Sequence, residues 1–407
     1  MAQGSSEVLL LSNPLLRRME NPRPKVSACD WWAGLGLSVT ATQDIKDIEP
    51  EWRELEAQGV QSPGQSIDFI KAWVKHFDIP RQEQLYVTGS AKGRLVALMP
   101  LVRERRMGAN ILTWFPGAHV GCGAPLIDKK TFSELDSDAR GKIWQQMRRG
   151  MFGADLLLLE AVPKFADDDY FSELGESVET EMLYRSEYES WETCKRQQHT
   201  RTRRKHDKQQ GAKLAAMGKV GFEVLGSEDD IEEALETLFE QKAVRFREWG
   251  VEDPFADEKV RQFYRDVFGG TGELRGKLHV LRLDGEIVAV RYNLVHGKHN
   301  FALISSMSAR AELHPGSPGK QNILRAMQEI FESGATLCDM GEGYSDEKRH
   351  WCNVKTPLRT HYMALSQRGE LVGKLHRLKE QARRTIKSNA HLFKAFKTMR
   401  SIKGSGG

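Results

Sequence analysis

Two short stretches of the sequence combine residue types that could handle an acyl or phosphoryl group. In the first, Ser317, Pro318, Gly319 and Lys320 open the apolar run "PGKQNILRAMQEIFE". Serine before proline is a common helix start, because the hydroxyl can cap the first N–H groups and proline already holds a helical φ. Gly319 leaves the first turn without a side chain. Lys320 puts a cation at the positive end of the helix dipole, where an acidic residue would be favoured. A bare helix N-terminus with a lysine beside it suits an anion such as phosphate. In the second stretch, "DMGEGYSDEKRHW", the residues Asp339, Gly341, Glu342, Lys348 and Trp351 follow a short apolar segment. Asp339 or Glu342 could serve as a general base if burial raised its pKa, and Lys348 could hold a phosphate or a developing oxyanion above the Trp351 indole. Each has an ordinary alternative: a carboxylate tied to backbone N–H groups, and a solvated surface lysine.

A third feature is electrostatic. Lys195 to Lys208 contains seven Lys/Arg and one acidic residue. Such a run is ordinarily a solvated helix face; the functional reading has Arg201, Arg203, Arg204 and Lys205 facing an anionic partner. The C-terminal stretch 374–403 is again basic, with a stripe of Leu375, Leu378, Ile386, Leu392, Phe393 and Phe396. It would pack on the body of the protein or lie on an anionic membrane surface.

These residues need elements to hold them, and the chain supplies them twice. "LYVTGSAKGRLVALMPLVRERR" from Leu85 and "LHVLRLDGEIVAVRYNLVHGKH" from Leu278 each read as a strand, a turn ending in glycine (Gly93, Gly285) and a longer strand. Upstream, Phe69, Trp73 and Phe77 match Val260, Tyr264 and Phe268 at one constant offset, both with the i, i+4, i+8 spacing of an amphipathic helix. Downstream, 153–162 and 334–343 each read as a buried strand after a helix. The pattern predicts a duplicated unit of helix, helix, hairpin, helix and strand; the alternative is one large mixed domain. We expect an N-terminal extension over 1–36, a first half over 37–190, a second half over 191–370 and a basic helical tail over 371–407.

Bulk properties narrow the class. The chain has 407 residues, a net charge of +4, 40% hydrophobic and 29% charged residues, which describes a globular protein of two or three domains. Its five cysteines form no C-x-x-C pair and read as reduced thiols packed as small hydrophobes. The first 25 residues match neither a signal peptide nor a membrane span, so a cytoplasmic protein is expected. The twelve histidines form no metal-ligand spacing, so no metal is expected, and no nucleophilic triad is suggested.

Taken together, "SPGK", a helix, "DMGEG" and Lys348-x-x-Trp351 resemble the acetyltransferase domain of the BioF2-like or CelD-like group of the GNAT superfamily, related to the FemAB peptidyltransferases. The opening "EWRELEAQGVQSPGQSIDFIKAWVKHF" and the basic stretch around Arg203 and Arg204 resemble the same group, so the likeness spans roughly 37–370. The resemblance implies an α/β (α+β) architecture of tandem GNAT-like folds with mixed, mostly antiparallel sheets. It marks Ser317, Pro318, Gly319 and Lys320 as a pyrophosphate loop for acyl-CoA (acetyl-CoA). It marks Asp339 and Gly341 at the strand end, and Lys348 and Trp351 in the loop beyond. The sequence departs from the family where a tyrosine usually precedes that lysine: Glu347 stands there, with Tyr344 three residues earlier. The first half lacks an SPG-like loop and would form one wall of the cleft.

The resemblance and the residues together lead to an acyltransferase expectation: an acyl group moves from acyl-CoA to an amine or hydroxyl. A backbone N–H at a splayed strand would polarise the thioester, and that splay is expected between 286–296 and 299–306. The CelD-like resemblance implies an acceptor in polysaccharide or cell-envelope metabolism. Two rivals remain: a FemAB-like transfer from aminoacyl-tRNA, with the 195–208 run on phosphates, and a non-catalytic GNAT fold docked on an anionic surface or membrane.

Overall fold

The computed structural model describes residues 36–388 except 92, 116–119, 165–168 and 271. The first half runs β1 (Ser38–Thr42), α1 (Glu49–Glu56), α2 (Ile67–His76), β2 (Gln84–Ala91), β3 (Arg94–Arg106), β4 (Ala109–Trp114), β5 (Leu126–Ile127), α3 (Lys129–Glu134), α4 (Ser137–Arg148), β6 (Leu156–Pro163) and β7 (Glu176–Glu187). The second runs α5 (Trp191–Gln198), α6 (Arg201–Ala215), β8 (Val220–Gly226), α7 (Glu232–Trp249), α8 (Glu258–Phe268), β9 (Leu274–Leu283), β10 (Glu286–His296), β11 (His299–Met307), α9 (Pro318–Glu332), β12 (Leu337–Glu342), α10 (Asp346–Trp351) and β13 (Val354–Ala364). A final helix, α11 (Gln367–Ser388), comes last.

All thirteen strands join one mixed, mostly antiparallel sheet in the order β1-β2-β3-β4-β6-β13-β7-β12-β11-β10-β9-β8, with β5 paired to β3. The order is its own mirror. Replacing each strand by its counterpart in the other half (β1 by β8, β2 by β9, β3 by β10, β4 by β11, β6 by β12, β7 by β13) returns the same order read backwards. The predicted repeat is thus present in the topology. The exchange at the centre is not visible in the sequence: β7 pairs with β12, and β13 lies between β6 and β7. Each half's row of five strands is therefore followed by the last strand of the other half.

Local sequence explains the elements. In the β9–β10 hairpin, Asp284 and Gly285 both take positive φ, the conformation a tight two-residue turn needs and that Asp-Gly tolerates. The predicted stripe on α2 meets α8 through Phe263, beside the predicted Val260, Tyr264 and Phe268: Phe69 and Trp73 both contact its ring edge-on, at 5.0 and 5.2 Å between ring centroids. This contact joins the halves on one face of the sheet. On the other face α9 buries Ile323, Met327, Ile330 and Phe331 against Tyr188 and Trp351, each such side chain contributing roughly 1.5–3 kcal/mol. In the first half α4 buries Ile143, Trp144 and Met147. The four described cysteines, Cys122, Cys194, Cys338 and Cys352, are free and buried, as expected.

Val372 is buried, but Leu375 and Leu378 on α11 are exposed. Residues 389–407, with Leu392, Phe393 and Phe396, lie outside the described residues, as does the 1–35 segment. Among the described residues, no helix is long and apolar enough to cross a membrane.

Candidate active site

The sheet has two parallel pairings, and both open into a V. β11 and β12 pair only through His299, Asn300 and Phe301 opposite Leu337, Cys338 and Asp339. Beyond that point β11 stays paired with β10 on one side, from Asn300 opposite Val295 to Met307 opposite Ala289. Meanwhile β12 bulges toward β7 between Asp339 and Glu342. The splay therefore lies between β11 and β12. The expected position between 286–296 and 299–306 is corrected, because those strands form one continuous antiparallel ladder with a single bulge at Tyr292/Asn293. Gly341 makes the divergence feasible: its φ is +78°, and Gly121 of the first half packs so closely that a Cβ there would lie 3.2 Å from the Gly341 Cα.

The "SPGK" stretch stands at the mouth of this V. Pro318 occupies the first turn of α9 and is buried, as expected. Ser317 is not the side-chain cap it was expected to be: it adopts a left-handed φ of 46°, and its hydroxyl accepts a bond from Gln210 and donates to the His314 carbonyl. No side chain caps α9, and no acidic residue stands in its first turn. Gly319 lies against Met307 at the end of β11, where a Cβ would come within 3.1 Å of the Met307 sulfur. Lys320 is exposed beside them. A cavity of about 310 Å³ extends from Gly319 past Asn322 and Arg291 to α7.

The second stretch is arranged otherwise than a free base and a free cation. Asp339 is buried, with one oxygen accepting from Arg185 Nε at 2.8 Å and the other from the Gly341 N–H at 2.7 Å. Both oxygens are engaged, so Asp339 anchors Arg185 and the turn into Gly341. Arg185, only 3% exposed in its side chain, also donates to the Gln61 side chain and carbonyl, each at 3.0 Å. The ion pair ties the first half to the root of the V. Glu342 is exposed at the end of β12. Lys348 does not sit over Trp351 but donates to the Glu342 carbonyl at 2.5 Å and lies 5.9 Å from the Tyr184 ring centre. Burial holds its pKa below the ordinary lysine value. The cation over Trp351 is Arg203, at 4.2 Å, which also donates to the His350 carbonyl.

Arg203 and Arg204 therefore do not act as a pair. Arg203 turns inward onto Trp351, while Arg201, Arg204, Lys205 and Lys208 share the exposed face of α6. A recess of about 500 Å³ between α6, α9 and α10 is lined by Arg203, Lys320 and Arg349.

Sequence reasoning missed several residues of the site. Arg291 sits between Val290 and Tyr292, and a lone arginine on a predicted strand was the available signal; Arg185 lies on β7, a strand the sequence did not reveal. Arg291 is buried and donates to Glu347 at 2.5 Å across the V, so Glu347, noted only as a departure, closes one side of the site. Gln241 of α7 accepts from the Ser306 hydroxyl and donates to the Ile287 carbonyl. A larger cavity of about 530 Å³ lies between the halves, with Gln61, Gln65, Lys129, Tyr170 and Arg185 among its walls. Desolvation and the Arg185 charge hold the Lys129 pKa below its ordinary value. Among the described residues, no group of three or more His, Cys, Asp or Glu side chains could hold a metal ion.

A V between parallel strands, a helix of uncapped N-terminus at its mouth and a second, mirror-related unit define a tandem fold. Residues 201–349 match the family model of the acetyltransferase (GNAT) domain. The fold is shared with FemX, at a TM-score of 0.53 and 11% identity over 82% of this chain and 98% of that one. Other similar structures are L-PGS from Bacillus licheniformis (TM-score 0.47, 13% identity, 82% and 97% covered) and a tandem GNAT protein from the clavulanic acid biosynthesis pathway (0.40, 8%, 81% and 98%). No curated protein matches the sequence.

Proposed function

We propose that the chain is an acyltransferase that moves an acyl group, in the first instance acetyl, from acyl-CoA to an amine or hydroxyl. The observation that carries this reading is the start of α9: an uncapped helix N-terminus with Gly319 and Lys320, opening on the cavity in the V. The donor's pyrophosphate would accept from the first N–H groups of α9, with Lys320 beside it. The thioester arm would enter the V, where β11 leaves its edge unpaired from Ala302 onward. An N–H on that edge would polarise the carbonyl.

The acceptor would approach through the cavity between the halves, whose wall at Arg185 reaches the root of the V. Its nitrogen or oxygen attacks the thioester carbonyl, the tetrahedral intermediate collapses, and the CoA thiolate leaves. The proton lost by the acceptor passes to a carboxylate, for which we assign Glu342, and returns to the thiolate. Lys348, held against the Glu342 carbonyl, and Gly341 shape that end of β12. The CelD-like resemblance points to a polysaccharide or cell-envelope precursor as acceptor.

Calorimetric titration of acetyl-CoA and a longer acyl-CoA tests the reading. Saturable binding that Lys320→Ala weakens about tenfold, roughly 1.4 kcal/mol, is expected; absence of binding for both thioesters would sink it. One observation favours a different donor, aminoacyl-tRNA. Arg201, Arg204, Lys205 and Lys208 form a continuous exposed basic face on α6, next to the Lys320 recess. Binding of tRNA that falls steeply with salt would then replace acyl-CoA binding.

A further inference from the structure

The V cavity does not end at α9. Its far wall is the C-terminal half of α7, which contributes Gln241, Lys242, Arg245, Glu248 and Trp249. Lys242, Arg245 and Trp249 fall at i, i+3 and i+7, one side of a helix. Trp249 is 57% exposed, an unusual state for the largest apolar side chain on a surface otherwise dominated by charge. The Arg245 guanidinium lies 4.7 Å from its ring centre, and Phe246 meets it edge-on at 6.3 Å. More than half the indole surface remains open.

Charge along this wall is uneven. Arg245 is matched by Glu248 at 3.1 Å, and Arg291 by Glu347. Lys242 is in neither pair: its ammonium lies 4.8 Å from the Phe246 ring centre, and no carboxylate is within ion-pair distance among the described residues. Met307 and Gly319 close the other side, so an anchored ligand at the start of α9 would pass directly in front of this stripe.

We propose that the α7 stripe is a nucleotide subsite: Trp249 stacks the purine base of the donor, and Lys242 with Arg245 receives its ribose phosphate. This rests on the acyl-CoA reading and adds which part of the donor the protein selects. A base has a π-face for an indole, and a ribose phosphate supplies the anion that Lys242 lacks. The pantetheine arm has neither group, so it gains nothing from this wall.

The experiment compares acetyl-CoA, 3′-dephospho-acetyl-CoA and acetyl-phosphopantetheine by calorimetry on the full chain. Wild type, Trp249→Ala, Trp249→Phe and Lys242→Met are used. Trp249 is a surface residue, so its truncation leaves the fold intact, which thermal unfolding verifies. The expected result is that Trp249→Ala weakens acetyl-CoA about tenfold, the order a base–aromatic stack gives. Acetyl-phosphopantetheine is unchanged, and Trp249→Phe restores most of the loss. Lys242→Met should weaken acetyl-CoA but not its 3′-dephospho form. Equal weakening of all three ligands, or no effect of Trp249→Ala on acetyl-CoA, overturns the subsite while leaving the donor reading in place. If wild type binds none of the three, the donor reading falls and the subsite with it.

Discussion

The two halves are built to one plan, yet they treat the same opening in opposite ways. In the first half, β4 and β6 pair only at Ile111/Leu156 and Leu112/Leu157 before diverging. That V is filled by protein. Trp114 lies in it with its indole N–H donating to the Glu160 carbonyl, and the neighbouring chain crosses it with the Gly123 N–H on the Ala161 carbonyl. Gly123 is required there, since a Cβ would fall 2.4 Å from the indole. The helix that precedes β6, α4, is capped by the Asp136 carboxylate on the Ala139 N–H, with Asp138 also in its first turn. In the second half a cavity opens beside the V, at the end of β11, and α9 has neither cap nor acid. A duplicated opening has been closed with tryptophan and carboxylate in one copy and kept polar and cationic in the other. That contrast, more than any single residue, supports the proposal that the second half binds the donor.

The largest expected effect comes from removing the plug. Trp114→Ala should cost about 3–5 kcal/mol of stability, through lost burial and the cavity left behind. Acyl-CoA affinity of the folded fraction should be unchanged; denaturant unfolding and calorimetry together check both. Asp339→Asn removes the partner of a buried arginine and should cost about 3 kcal/mol. A drop below about 1 kcal/mol in denaturant melts would show that Arg185 does not tie the halves together. Lys320→Glu gives α9 the acidic first turn that α4 has. Acetyl-CoA binding should fall at least tenfold while the thermal midpoint holds or rises slightly, since the helix dipole favours the new charge by about 0.3–1 kcal/mol. If binding survives, the contrast between the two helix starts has no functional content. The smallest effect is Asp136→Ala, a lost cap worth about 1 kcal/mol, read as a lower thermal midpoint with unchanged ligand binding.

Much of this was legible in the sequence because it is local. Hairpin turns, helix stripes and the "SPGK" start are written in consecutive residues, and the duplication showed through the order of those signals. β1, β4, β8 and the exchange of β7 with β13 were not legible, since partner choice among strands is decided by tertiary contact. The site divides the same way. Gly319 and Lys320 could be picked out from helix-terminus chemistry alone. The engagement of Asp339 by Arg185, of Trp351 by Arg203 and of Arg291 by Glu347 joins residues from 56 to 154 positions apart, and residue type gives no hint of which cation meets which partner. Trp249 went unnoticed because an aromatic at the end of an amphipathic helix ordinarily reads as core.

The exchange of final strands also bears on how the chain can be made. Residues 38–187 emerge first during synthesis, but the slot between β6 and β7 is filled by β13, which ends at Ala364. The early segment therefore waits, with a gap in its sheet, until β13 has been delivered. Cutting the gene at the midpoint would not yield two modules that fold alone, and each fragment would carry an unsatisfied strand edge prone to pairing with its neighbours. Co-expressing the two fragments should instead let them clasp one another, each supplying the strand the other lacks.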